Sequence, residues 1–424
     1  MEVEERRATS ERERAEHLDR CGHNVLYLDA AKLHVDFFTD VPPRAFFPEV
    51  AEGGGPAADP SELAERMYGP ARYLLATKGR AAQIALAIAM GHDPHHGGGV
   101  LPASPTVVAP PLFMSSHHAL GRIGARVEQA PTLPGSADLD VAWLEHRLDA
   151  MGTAAPVSAV FLESCNNALG GHPMRLSNLE AVARACRARE VPIVLDACRL
   201  LADCLAHGGP LFETARAYTS SCDAFVVSGT KELLAPYGAI IGVRDERTQR
   251  RAAMHLFLEG SQLEPPAAVA TLGRGMAHLL AHPEIIADRA RQLRLFADAL
   301  RAAGIEVLEP LGGHAIYLPL RAPGIDAATI DERRPETIAL EAWIYRAAGM
   351  RVVLFPHPHI GPGVVRLALT VGRYSDDELR DAASTLACAL SRAGEAPRLC
   401  RPRAGMMDTP LADQFELADA PPRA

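Results

Sequence analysis

Residues 157–164 read VSAVFLES, 176–190 LSNLEAVARACRARE, 191–197 VPIVLDA and 223–229 DAFVVSG. Short apolar runs rich in Val, Ile and Phe flank a stretch whose apolar residues recur at helical spacing. Strand, helix, strand with short loops is the pattern of a parallel sheet wrapped by helices, since parallel neighbours need a right-handed crossover. The alternation extends outward from about Tyr73 to Val243, which predicts an α/β fold with a mostly parallel sheet. Beyond it, residues 270–303 read as one long amphipathic helical region ending at Gly304. IEVLEP (305–310), GHAIYLPL (313–320), a helix near 336–348, MRVVLF (350–355), VVRLALT (364–370) and a last helix near 376–393 follow. They show no parallel rhythm and predict a smaller α+β domain.

At the other end, residues 1–20 read as a charged helix, and NVLYLDAAKLHVDFFTD (24–40) as two short strand-like runs. Pro, Gly and Ala mark a loop over 41–60. The expected division is an N-terminal arm at 1–45 that belongs with the small domain, a large domain at 46–300, the small domain at 301–395 and a tail at 396–424. The tail is rich in Pro, Ala and Arg and is expected to be poorly ordered or draped on the surface.

The composition, 48% hydrophobic and 22% charged, is that of a globular protein with a large core. A net charge of -9 argues against a nucleic-acid partner, which would favour a basic face. No apolar run is long enough to span a bilayer, and the charged N-terminus lacks a signal core, so a cytoplasmic protein is expected. The 8 cysteines are scattered without CxxC pairing, which argues against a structural zinc site and for reduced, partly buried thiols. In FPHPHI (355–360) His357 and His359 point the same way along an extended segment, but no third ligand accompanies them, and no metal is expected.

Chemistry concentrates in a few segments. In VVSGTKELLAPYGAIIGV a strand ends at Ser228 and Gly229, and Lys231 follows at once. That is the carboxyl edge of a sheet, where ligands of such folds bind; a solvated loop lysine would read the same way. VPIVLDACRL delivers Asp196 at the end of a buried strand, with Arg199 three residues on. A carboxylate there needs a partner, which a protonated pyridine nitrogen would supply, although a helix cap is the plainer role. In ATKGRAAQIALAIAM, Lys78, Gly79 and Arg80 open a helix whose free backbone donors suit a phosphate, a weak signal alone. In ESCNNALGGHP two glycines follow Asn166 and Asn167 in a tight turn, from which an amide can reach a cofactor's phenolic oxygen or merely cap the turn. Arg366 in VVRLALT shares a strand face with Val364 and Ala368, a setting that asks for an anion: a substrate carboxylate, or a structural ion pair.

Together these segments resemble the β-eliminating lyases, the tryptophanase and tyrosine phenol-lyase family of fold-type-I pyridoxal-phosphate enzymes, over nearly the whole chain. RAEHLDRCGHNVLYLDAAKLHVDFFTD (14–40) is similar to that family's N-terminal arm. The resemblance implies that SGTK carries the cofactor lysine, Lys231, with Thr230 where the family has a second lysine. It implies that DACR supplies the ring-nitrogen Asp196 and nearby Arg199, and that TKGR is the phosphate cup, with Lys78 where the family usually has Gln and with Ser228 alongside. Phe113 falls at the ring-stacking position, Asn167 near the ring oxygen and substrate carboxylate, and Arg366 and Thr39 on the substrate side.

The departures bear on the substrate. No tyrosine lies between Thr39 and Tyr68, so the family's leaving-group acid has no counterpart there. Phe355 stands where phenol-lyases place an arginine, and Met114 where tryptophanases place an aspartate. At the family's monovalent cation site the resemblance gives Glu49 a counterpart, whereas Pro236 replaces a polar neighbour. With Phe46 and Phe47, Met114 and Phe355 suggest an apolar side-chain pocket, or plain core. The implied activity is α-proton abstraction from an amino acid by Lys231, then β-elimination or β-replacement, on a substrate other than tyrosine or tryptophan, by a homodimer or homotetramer. LESCNNALGG and LDACRLL also resemble the threonine aldolases of the same fold, which usually stack a histidine where this chain has Phe113. Aldol cleavage or transamination is the alternative, and a non-catalytic cofactor-binding scaffold a third.

Overall fold

The computed structural model describes residues 10–25, 58–91, 104–150, 156–320, 335–357, 361–372, 374–403 and 414–417. It divides into two compact units, residues 41–290 with 312–314, and residues 1–40, 291–311 and 315–424.

The larger unit is built on a seven-stranded sheet: β1 (Arg72–Ala76), β2 (Thr106–Ala109), β3 (Arg126–Gln129), β4 (Val157–Glu163), β5 (Ile193–Asp196), β6 (Ala224–Ser228) and β7 (Ala239–Val243). The spatial order is β1-β7-β6-β5-β4-β2-β3. β6, β5, β4, β2 and β3 are mutually parallel, and β7 runs antiparallel to both β6 and β1. Every residue of β2, β6 and β7 is buried, as continuous apolar runs require when helices cover both faces of a sheet. On one face the small residues Ala82 and Ala85, with Leu86, let the helix Gly79–Gly91 pack closely on Val107, Phe161, Val194 and Ile241.

The smaller unit carries an antiparallel sheet of order β8-β10-β9, with β8 Ala315–Pro319, β9 Val353–His357 and β10 Gly361–Ala368. Its period-two alternation separates two clusters: Val365 and Leu367 pack with Ile316, Leu340, Trp343 and Leu386, whereas Val364 and Ala368 pack with Ala315 and Tyr317. The helix Glu11–Arg20 belongs to this unit, where Leu18, Cys21 and Val25 meet Ala342 and Tyr345 and the Arg14 Nε donates to the Arg346 carbonyl at 2.7 Å.

Three expectations are corrected. The single helical region at 270–303 is two helices, Pro266–Ala281 and Glu284–Ala302, because Pro283 lacks an amide donor and biases His282 (φ -131°, ψ 60°) out of helical geometry. IEVLEP is not a strand; Leu308 N donates to the Tyr317 carbonyl at 2.9 Å, but Pro310 cannot extend a ladder. The tail is not featureless: β11 (Leu399–Arg403) pairs antiparallel with β12 (Gln414–Leu417), and buried Phe415 donates its N–H to the Gly22 carbonyl at 2.7 Å. The strand-like runs expected over 24–40 lie mostly outside the described residues. Among the described residues no helix is long and apolar enough to cross a membrane.

Candidate active site

β2, β4, β5 and β6 point one way, and β1, opposing β7, points with them. Their carboxyl ends therefore line one edge of the sheet. Along it lie Lys78, Gly79 and Arg80 after β1, Phe113 after β2, Asn167 after β4, Asp196 and Arg199 from the end of β5, and Ser228 and Lys231 from the end of β6.

Gly79 opens the helix Gly79–Gly91, and a Cβ there would stand 2.9 Å from the Ser228 Cβ and 3.0 Å from its Oγ. Only glycine lets this helix N-terminus lie against the Ser228 hydroxyl. Ser228 Oγ and Thr230 Oγ1 are 3.1 Å apart. Two hydroxyls beside the unspent N–H groups of a helix start form a cradle for an anion. Lys78 and Arg80 are exposed at its margin. The turn that follows is equally tight: a Cβ on Gly229 would meet the Tyr237 carbonyl oxygen at 2.6 Å, and Gly229 N donates to the Gly238 carbonyl at 2.8 Å. Lys231 leaves this turn half-buried.

On the neighbouring strand, Asp196 Oδ1 accepts from Cys198 N at 3.0 Å and Oδ2 accepts from Gln83 Nε2, which reaches down from the helix Gly79–Gly91. These donors leave acceptor capacity on both oxygens. One strand further, Glu163 stands in register with Asp196. Glu163 accepts from Ser116 Oγ and from Phe113 N at 3.1 Å. Burial, reinforced by the Asp196 charge, pushes its carboxyl up to about 8 against the pull of these donors and of Arg199.

Asn167 is presented by an unusual turn. Cys165 holds a left-handed φ of 44°, fixed by buried Asp203, which accepts from Cys165 N at 3.1 Å and Sγ at 2.9 Å. Gly170 and Gly171 follow at φ 75° and 67°. Gly313, whose Cβ would lie 2.6 Å from Cys165 Sγ, brings in the next residue, buried His314, and its Nε2 lies 2.9 Å from Asn167 Oδ1. The oxygen is an acceptor, so the imidazole nitrogen donates and the two N–H donors of the amide are turned the other way.

Phe113 is half-buried at the start of the helix Met114–Gly121, and Met114 is 41% exposed. In the smaller unit, Arg366 sits on β10 opposite Tyr317 and Val353, buried on the face that carries Val364 and Ala368. Phe355 is on β9 opposite Val364. Thr39, Phe46, Phe47 and Glu49 lie outside the described residues.

Glu163, Gln83 and His314 were not singled out from the sequence. Glu163 and Gln83 carry a faint signal, a polar residue ending an apolar strand and one interrupting an apolar helix, while His314 had none until the loop before β8 was placed.

A sequence profile of the family described as Beta-eliminating lyase matches residues 61–397. A probable tryptophanase of Halobacterium salinarum is 26% identical over 424 aligned positions, covering 91% of this chain and 90% of that protein. A tyrosine phenol-lyase of Intrasporangium calvum is 27% identical over 235 positions, covering 51% and 47%. Among solved structures, a threonine aldolase of Leishmania major superposes with a TM-score of 0.61 at 16% identity, covering 84% of this chain and 99% of that one. A mutant aspartate aminotransferase of Thermus thermophilus superposes with a TM-score of 0.54 at 20% identity, covering 83% and 94%. These likenesses show the fold, that of the fold-type-I pyridoxal-phosphate enzymes. With four-fifths of its length matched by the profile, the chain belongs to the β-eliminating lyase family.

Proposed function

We propose that the protein binds pyridoxal phosphate at the edge formed by β1, β2, β4, β5 and β6 and acts as a lyase on an amino acid, expelling a group from the β-carbon. The observation that carries this reading is the meeting of Gly79 with Ser228, since a cradle that a single Cβ would fill is shaped for a phosphate beside a helix start. The other residues support the same group. Asp196 offers a carboxylate one strand from Lys231, suited to a protonated ring nitrogen. Asn167, its oxygen engaged by His314, offers N–H donors to a phenolate oxygen.

When bound, pyridoxal phosphate supplies an electron sink for the pair left on the α-carbon. Lys231 would be the attachment point and the base that takes the α-proton onto its Nζ. Asp196 would hold a proton on the ring nitrogen, and Phe113 would lie against the ring. Arg366 is proposed for the substrate carboxylate, on the bidentate chemistry of a guanidinium in an apolar setting. The protein is expected to work as a homodimer or larger oligomer, with sedimentation of the active species as the check.

A panel of amino acids assayed for pyruvate, for aldehyde and for amino-group transfer tests the reading. Pyruvate and ammonia from a substrate with a β-leaving group is the expected result. Aldehyde and glycine would instead establish aldol cleavage, and no turnover by protein that holds the cofactor would point to a scaffold.

A further inference from the structure

The preferred first residue of a helix carries a side-chain acceptor for the free N–H groups of the first turn, which is why Ser, Thr, Asp and Asn dominate there. The helix Met114–Gly121 begins instead with Phe113, in extended geometry (φ -70°, ψ 154°) and with no cap of its own. The acceptor comes from another strand: Glu163 Oε2 and Oε1 lie 3.1 and 3.3 Å from Phe113 N, and Ser116 Oγ, wholly buried, bonds to Oε1. The same strand end grips the loop a second time, through Asn166 Nδ2 donating to the Pro111 carbonyl at 2.8 Å. A buried carboxylic acid is a costly way to cap a helix that a serine at its first position would cap unaided. The arrangement gains an aromatic ring at that position. It also gains a fixed link to Asp196, because Glu163 and Asp196 are paired in register on adjacent strands.

We infer that Glu163 is a positioning residue, holding Phe113 at the height above the sheet edge at which its ring covers the cofactor that Asp196 addresses. The inference rests on the proposed cofactor site. Burial, reinforced by the Asp196 charge, pushes the Glu163 carboxyl up to about 8, which favours its neutral form. One oxygen faces Ser116 Oγ, and the other accepts from Phe113 N. Glutamine reproduces that pattern, with its NH₂ toward Ser116 and its oxygen toward Phe113 N, whereas alanine abolishes it.

The test is titration of the apoprotein with pyridoxal phosphate by absorbance, with circular dichroism of the bound cofactor band as a readout of ring orientation. E163A is expected to weaken affinity about tenfold and to collapse the dichroism, while E163Q stays within about threefold of wild type and keeps the band. If Glu163 acts through Phe113, the E163A loss vanishes in a Phe113→Ala background, since residues that act as one unit are not additive. S116A, which removes half of the clamp, should show a smaller loss that also vanishes there, and it carries the test if E163A does not fold. Losses that persist in the Phe113→Ala background, or an E163Q as damaged as E163A, would overturn the role of Glu163. Wild-type protein that takes up no pyridoxal phosphate would overturn the cofactor site itself.

Discussion

Glu232, the residue after Lys231, is ion-paired with Arg289, and both side chains are buried, at 1% and 3% exposure. Glu232 Oε2 also accepts from Leu201 N at 2.9 Å, at the start of the helix Leu200–His207 that follows Arg199. One carboxylate thus ties the lysine turn to two helices. Removing one partner leaves the other as an uncompensated buried charge, so E232A should cost the apoprotein about 3–5 kcal/mol. Replacing both residues by leucine and methionine should recover most of that loss. Urea unfolding of the four species measures it, and an E232A loss below about 1 kcal/mol would contradict the account.

Glu163 is raised from 4.5 to about 8 and Asp203 from 3.8 to about 7, in both cases mainly by burial. A folded-state value above the unfolded one means that the folded protein binds protons the unfolded chain has released. The stabilisation is therefore complete below the unfolded values and is lost as pH rises through the folded ones. These groups make apoprotein stability fall between about pH 5 and pH 8. Thermal melts across that range should show the decline, and Glu163→Gln should flatten its upper part. A melting temperature that rises steadily to pH 8 would show that both acids are ionised in the folded state.

The chain has only three lysines, Lys32, Lys78 and Lys231. Borohydride reduction of the protein with pyridoxal phosphate should fix the label on the peptide containing Lys231, and Lys231→Ala should abolish it. Peptide mapping decides the matter. Label retained on Lys78, which borders the cradle, would move the attachment point.

Neither tyrosine nor tryptophan should be a good substrate. Expelling phenol or indole requires a proton delivered to a ring carbon, and a positioned acid contributes roughly a hundredfold or more. By the resemblance, Met114 falls where tryptophanases place an aspartate and Phe355 where phenol-lyases place an arginine. S-substituted cysteines, whose thiolate leaves with less help, should turn over at least about tenfold faster. Comparable rates for tyrosine or tryptophan would show that an acid enters the pocket from elsewhere.

What the sequence determined by itself was the local and periodic part of this protein. Alternating apolar runs specified the parallel sheet, and the placement of Asp196 at a strand end and of Lys231 and Gly79 just past strand ends was legible because strand ends need no partner to be recognised. The break at Pro283 was equally local and was overlooked only because the apolar period continues through it. Tertiary structure decided the rest. Glu163 gains its meaning only from the register that sets it beside Asp196 and under Phe113, and His314 only from a loop that returns to Asn167 across 147 residues. The Phe415 N–H likewise finds its acceptor at Gly22, in a distant segment that composition cannot express. Local sequence encodes which backbone a residue adopts; which distant polar group will satisfy a buried donor or acid is fixed only when the strands come into register.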